Sequence, residues 1–246
     1  MKAFSKSEVG SLRETNQDNC YFKVSEDFVC AVVCDGVGGS NGGGIASNLV
    51  IDTVKEEVSN IFDTDKKNDL EALKAFLFDT AKKANEVILE TSRANENLKN
   101  MGTTMVLVAI IGDVLQLVYA GDSRAYLMSK NDNSIKQITK DHSLVQEMVD
   151  AGHITDEQAK DHPLKNIITR SLGMDMNNKF DYIKTSFSDN TALLICTDGL
   201  TNSLSDKEIF DVFLDAPDIE KFVSNTMNLA KKLGGQDDIT ILAVDE

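Results

Sequence analysis

The stretch TTMVLVAIIGDVLQLVYAGDSR, residues 103–124, holds two apolar runs, Thr103–Ile111 and Val114–Ala120, rich in Val, Ile, Leu and Tyr. Such runs read as strands. Gly112-Asp113 between them is a tight hairpin signal, so the two strands are expected to pair antiparallel. Asp113 is then a turn residue. Gly121-Asp122 looks similar, but it is followed by Ser123 and a further strand-like run, Arg124–Ser129.

Outward from this hairpin, strand-like runs recur at Asn19–Lys23, Phe28–Cys34, Thr191–Cys196 and Ile239–Val244. Helical periodicity is expected at about Gly44–Phe62, Leu70–Ala94, Leu144–Ala151, Ser205–Leu214 and Ile219–Leu233. Leu70, Leu73, Leu77, Ala81, Ala84 and Ile88 lie on one face of the second helix, an ordinary packing stripe. Ser205 with Asp206 and Glu208 reads as a helix start. Strands and helices do not alternate as in a parallel sheet, so antiparallel sheets with helices outside, an α+β fold, fit better. The polar segment 142–171 breaks the pattern and reads as an inserted helical flap. It contains all three histidines, His142, His153 and His162.

With 246 residues the chain fits one domain, 1–246, and can bury its core without disulfides. At 41% hydrophobic and 26% charged it is too apolar for a disordered chain. The formal charge of −15 argues against nucleic acid and against anionic membranes as partners. Cys20, Cys30, Cys34 and Cys196 form no Cys-x-x-Cys pair and read as buried reduced thiols. Reduced thiols, the absence of an apolar core in Met1–Gly10 and the shortness of the longest apolar run, Met105–Ile111, point to the cytoplasm.

Four aspartates stand beside the ends of predicted strands: Asp35, in Asp35-Gly36-Val37-Gly38-Gly39, and Asp122, Asp198 and Asp237. Carboxylates gathered at one sheet rim repel each other, and hard divalent cations with oxygen ligands relieve that repulsion. Such sites commonly hydrolyse. The Asp35 loop alone is equally a Gly-rich turn. It is not a dinucleotide fingerprint, because Asn41 stands at the final glycine position. Arg13 is suited to bidentate phosphate recognition, although taken alone it reads first as a surface arginine. Asp18 is a ligand's neighbour or a strand cap. The histidines lack soft-metal spacing, and no Gly-x-Ser-x-Gly elbow occurs.

Taken in order, these pieces resemble the metal-dependent serine/threonine protein phosphatases of the PP2C (PPM) type, the bacterial branch in particular. The matching pieces are Arg13 with Asn16-Gln17-Asp18, Asp35 to Gly39, Gly102 to Thr104, Gly121 to Arg124, Thr139 to Ser143, Ile168 to Gly173, Thr197 to Leu200, and Gly234-Gly235 with Asp237. They span essentially the whole chain. The resemblance implies an α-β-β-α sandwich of two stacked antiparallel sheets flanked by helices, with a flap at about 142–171. It implies hydrolysis of phosphoserine and phosphothreonine in proteins by a metal-activated water, opposing a bacterial-type Ser/Thr kinase. It implies two Mn²⁺ or Mg²⁺ ions with a possible third. Asp35 would bridge the two ions, with Gly36 offering its carbonyl and Asp198 and Asp237 completing the pair. Asp122, together with Asp198, would serve the third, with Asn166 as a further ligand, and Arg13 would bind phosphate.

Three positions depart from the family pattern. Val37 stands where many members carry a histidine proposed as general acid, Asp238 replaces the usual Asn, and Gln17 replaces the Glu of some members. Asp238 is expected to alter cation affinity at Asp237. The alternative reading is a non-catalytic phosphoprotein-binding module on the same scaffold.

Overall fold

Every residue of strand β3 (Phe28–Cys34) is buried, and its two faces go to different cores. In the computed structural model, which describes residues 1–62, 64–174, 179–188 and 191–245, Phe28, Cys30, Val32 and Cys34 pack outward under helices α1 (Gly39–Ile61) and α2 (Leu70–Ala94). Val29, Ala31 and Val33 face inward, against Leu193, Ile195 and Leu242 of a second sheet. Side chains alternate sides along a strand, so a run apolar at every position needs cover on both faces.

The first sheet has the order β10 (Asp181–Ser186), β7 (Val114–Ala120), β6 (Met105–Ile111), β3, β2 (Asn19–Val24). The second has the order β1 (Lys2–Glu8), β12 (Ile239–Asp245), β11 (Thr191–Cys196), β8 (Arg124–Ser129), β9 (Ser134–Gln137). All pairings are antiparallel. The outer face of the second sheet is covered by helices α6 (Asp206–Asp215) and α7 (Ile219–Leu233), which pack Phe210, Phe213, Phe222 and Met227 against Tyr126, Leu194 and Ile241. The architecture is therefore an α-β-β-α sandwich. The β6–β7 hairpin turns at Gly112-Asp113, where Gly112 has φ 52°. A two-strand pair, β4 (Gly36–Val37) with β5 (Gly102–Thr103), sits at the rim.

Capping fixes the helix ends. Asp69 accepts from the backbone N–H of Glu71 and Ala72, and Ser205 with Glu208 forms a reciprocal capping box on α6. Helix α1 begins at Gly39, five residues before the expected Gly44. The flap holds two short helices, α3 (Leu144–Asp150) and α4 (Asp156–Lys160), closed at its base by a Ser143–Ile168 bridge. The cysteines are free thiols, three of them buried. Among the described residues, no helix is long and apolar enough to cross a membrane.

Candidate active site

Strands β3 and β7 flank β6 and both run opposite to it, so they end at the same edge of their sheet, placing Asp35 and Asp122 there. In the other sheet β11 ends opposite the start of β12, with Cys196 facing Ile241. Asp198 and the Asp237-Asp238 pair therefore lie at one edge too. Residues 121–123 cross from β7 in one sheet to β8 in the other. They tie the two edges together. Asp113 lies at the opposite end of the β6–β7 hairpin, away from this rim.

The backbone at the rim is held by specific hydrogen bonds. Asp35 N–H donates to Thr104 Oγ1 (2.9 Å), and its carbonyl accepts from Thr103 Oγ1 (2.9 Å) and from Thr104 N–H (2.8 Å). Thr104 Oγ1 also lies 2.7 Å from Ser123 Oγ. Thr104 thus joins the Asp35 corner to the Asp122 corner, a task beyond the strand start that its sequence suggests. Gly121 has φ 112°, and a Cβ there would stand 2.5 Å from a Thr104 side-chain carbon. Only glycine permits that approach. Asp198 opens the one-turn helix α5 (Asp198–Thr201), and its Oδ2 accepts from Asn202 Nδ2 at 3.0 Å.

Gly199 next to it is wedged under the chain, since a Cβ would come 2.0 Å from the Asp238 carbonyl oxygen. Gly199→Ala is therefore expected to cost about 1–3 kcal/mol by overpacking. It also shifts Asp198. Chemical denaturation should show a lower midpoint, and activity should fall more than stability alone explains.

The electrostatics follow from crowding. Burial pushes the Asp35 carboxyl well above its ordinary value, and Asp18, Asp198, Asp122 and Asp237 push it further in the same direction. Asp122 is raised to about 8 by burial, then by Asp198 and Asp141. Asp18 is raised to about 7 by burial, opposed by hydrogen bonds from Thr197 and Thr240. Asp198 is raised by burial and by Asp237, while contact with the Asp35 side chain and with Asn202 opposes the shift. Asp18 was the least legible of this group. It is only 8% exposed, accepts from Thr197 Oγ1 at 2.8 Å, and keeps its Oδ1 buried without a partner. Asp122 Oδ1 is likewise buried and without a partner. Orphaned buried oxygens within a group of carboxylates fit hard cations, which take oxygen ligands.

Arg13 spans the other side of the rim. Its Nε and Nη2 donate to the two oxygens of Asp237, both at 2.7 Å. Among the described residues, no three acidic, histidine or cysteine side chains already stand as a ready set of metal ligands. Asp238, expected to alter cation affinity at Asp237, has its carboxylate committed to backbone donors. Its Oδ1 accepts from Gly10 N–H (2.9 Å) and its Oδ2 from Gln17 N–H (2.8 Å). It closes the loop that carries Arg13 and is itself only 5% exposed. Gly36 is half-buried and pairs with Thr103. Val37, paired with Gly102, brings an apolar side chain.

A cleft of about 770 Å³ opens beside Asp122 and Asp198, between the flap and the start of α6. Asn166, exposed in the flap, lines it, as do Lys160 and Lys207. Arg124 anchors the near wall through both oxygens of Asp141 (2.7–3.1 Å) and through Tyr126 OH, which donates to Asp206. Asn166, Asp122 and Asp198 thus share one cleft, with Asp35 in contact with Asp198, and Arg13 with Asp237 adjoins them.

The family model for protein phosphatase 2C matches residues 11–239. This chain belongs to the protein phosphatase 2C family. It is 30% identical to the serine/threonine phosphatase Stp of Listeria monocytogenes over 246 residues, covering 100% of this chain and 96% of that one. The solved serine/threonine phosphatase of S. agalactiae superposes with a TM-score of 0.89 at 32% identity, covering 100% of this chain and 99% of that one. The catalytic domain of the phosphatase PstP, solved in complex with two manganese ions, superposes with a TM-score of 0.82 at 29% identity, covering 99% and 97%. Both superpositions extend over nearly the whole chain, so this chain shares the fold of those phosphatases.

Proposed function

We propose that this chain is a metal-dependent phosphoprotein phosphatase, which releases phosphate from phosphoserine and phosphothreonine and opposes a Ser/Thr kinase in the cytoplasm. The observation that carries the reading is the shared rim of Asp35, Asp198, Asp237 and Asp122, where burial and mutual repulsion push the Asp35, Asp198 and Asp122 carboxyls above their ordinary values. Two Mn²⁺ or Mg²⁺ ions, with a third of weaker affinity, are the cofactors this set suits. Asp35, the Gly36 carbonyl, Asp198 and Asp237 would hold the pair, and Asp122 with Asp198 and Asn166 would hold the third. Bound there, such cations supply Lewis acidity toward phosphoryl oxygens and water.

The chain's own residues supply the rest. The Arg13 guanidinium is a planar fork whose two donors match two phosphoryl oxygens as they now match two carboxylate oxygens. Its position is set by the loop that Asp238 closes. The cleft beside Asp198 gives the polypeptide around the phosphoresidue a place to lie. Val37 has no proton to give, so the donor to the departing serine or threonine oxygen is another group, water being one candidate. A single domain spanning 1–246 suffices for all of these parts.

The test is phosphate release from a phosphothreonine peptide with Mn²⁺, with chelator, and with Asp35→Ala or Asp198→Ala. Equal release in every case would sink the proposal. Tight phosphopeptide binding without metal-dependent release would favour the non-catalytic binding module instead.

Arg13→Ala is expected to lower kcat/KM by about 10–100-fold, mostly through KM, because charge-assisted hydrogen bonds are worth about 1.5–3 kcal/mol. Arg13→Lys should rescue little, since an ammonium cannot reproduce the fork. The same Arg13→Ala protein should bind Mn²⁺ more tightly when substrate is absent, because Asp237 is then freed. Calorimetry reads this directly.

A further inference from the structure

His142 stands at the base of the flap and is only 6% exposed. Its surroundings define an arrangement that the proposed chemistry does not use. The ring lies flat on Tyr119, with centroids 4.9 Å apart and planes within 6°. Nδ1 accepts from the backbone N–H of Gly121 at 3.1 Å, and the His142 backbone N–H donates to the Gly121 carbonyl at 3.0 Å. Both backbone polar groups of Gly121 are thus spent on one residue. Because Nδ1 accepts, the ring proton sits on Nε2, which faces Asp181 Oδ2 at 3.3 Å. The other oxygen of Asp181 accepts from Arg170 Nη1 at 2.9 Å. The His142 carbonyl accepts from Thr169 N–H at 2.8 Å, closing the flap base.

Gly121 directly precedes Asp122, whose Oδ1 is buried without a partner. Gly121 has a left-handed backbone, φ 112°, and its neighbours help select that conformation. The selection comes from two sides. Thr104 fills the space where a Gly121 side chain would stand, and His142 takes the Gly121 N–H and carbonyl.

We propose that His142 is a positioning residue that fixes the Gly121–Asp122 corner through Nδ1, with Asp181 orienting its ring, and thereby sets Asp122 for a divalent cation. The inference rests on the proposed metal-dependent reading for its use, but the fixing of the corner is measurable without it. An outer partner that orients a ligand corner matters for affinity, and its loss commonly costs about 10–100-fold in metal binding.

The experiment uses the full chain and three variants. His142→Ala removes the acceptor and the stack. His142→Asn keeps an acceptor oxygen near the place of Nδ1. His142→Gln keeps a donor toward Asp181 but no acceptor for Gly121. In metal-free protein, amide hydrogen exchange of the peptide covering 119–124 is expected to speed up by about tenfold in His142→Ala and His142→Gln, the scale of one lost hydrogen bond. His142→Asn should stay close to the parent. Calorimetry with Mn²⁺ should show the weaker binding event lowered by about tenfold or more in His142→Ala. Asp122→Asn should remove that event. The double variant should be no worse than Asp122→Asn alone, since His142 acts through Asp122.

Unchanged exchange at 119–124 in both His142→Ala and His142→Gln overturns the proposal. So does an unchanged weaker Mn²⁺ event in His142→Ala. If His142→Ala does not fold, His142→Asn against His142→Gln decides by the same exchange readout. A parent protein that releases no phosphate would overturn the proposed activity, while the exchange and Mn²⁺ measurements would still judge His142.

Discussion

Asp35→Asn is expected to lower phosphopeptide hydrolysis by about 10³-fold while raising the stability of the metal-free protein. Both effects have one origin. Asp35 receives the repulsion of Asp18, Asp198, Asp122 and Asp237, and burial adds to it. A carboxylate kept in such a place is a cost to the fold when no cation is present. Asn is nearly the same size, so the hydrogen bonds of its backbone to Thr103 and Thr104 should survive. Asn neither ionises nor has to take up a proton on folding, so the melting temperature in chelator should rise by about 2–4 °C for each kcal/mol relieved. The lost function has a different scale. Several kcal/mol of charge stabilisation at a phosphoryl group rest on the cations that this residue would help hold, hence a loss of about 10³-fold. The measurement pairs a melting curve in chelator with initial rates in Mn²⁺. A variant that is both less stable and inactive would mean that Asp35 is structural. One that remains active would remove Asp35 from the proposed chemistry.

The interior strands and the long helices were legible because each is covered on a face that the sequence pattern records. Phe28–Cys34, Val114–Ala120, Arg124–Ser129 and Thr191–Cys196 have the bounds that their apolar runs suggest. The strands that escaped reading, Lys2–Glu8, Ser134–Gln137 and Asp181–Ser186, are all sheet edges. Edge strands are half-exposed, and polar residues there protect against pairing with other chains. KAFSKSE and SIKQ therefore carry no strand signal of their own. They are strands because β12 and β8 supply hydrogen-bonding partners. Helix α1 started early for a related reason. Its first residues include Gly42, Gly43 and Gly44, poor helix formers, yet Gly43 packs directly on Gly36 and the tertiary contact overrides propensity.

The rim aspartates were visible as single residues at strand ends, but their neighbours were not. Asp18 becomes part of the crowd only because Thr197 from the other sheet reaches it. Asp238 commits its carboxylate to two backbone N–H groups some 220 residues earlier in the chain, which need an acceptor. His142 has no metal-ligand spacing, and its partners Gly121 and Asp181 come from β7's end and an edge strand. Local sequence describes what a residue could do. Which of those roles it takes is decided by groups that arrive from distant parts of the chain.

Metal removal should expose the same crowding as a pH dependence. In the metal-free fold, Asp18 and Asp122 hold their protons to about 7 and about 8, against 3.8 for an ordinary aspartate. Between those limits the folded state binds more protons than the unfolded chain. Stability must then fall as pH rises through that window, since its slope follows the protons bound unfolded minus those bound folded. The stability is fully present near pH 4 as far as these two groups are concerned, and it is lost by about pH 8. Cations compete with those protons for the same oxygens, so their stabilising effect should have the opposite dependence and grow with pH. One ion at a hundredfold excess over its dissociation constant adds about 2.7 kcal/mol. In a chain of this length that corresponds to a melting temperature raised by about 5–10 °C. Melting curves in chelator and in Mn²⁺, taken near pH 5 and near pH 8, would separate the two trends. A gap between the chelator and Mn²⁺ curves that widens toward pH 8 is the expected result. A gap independent of pH would mean that the cations bind elsewhere and that these carboxylates are not their ligands.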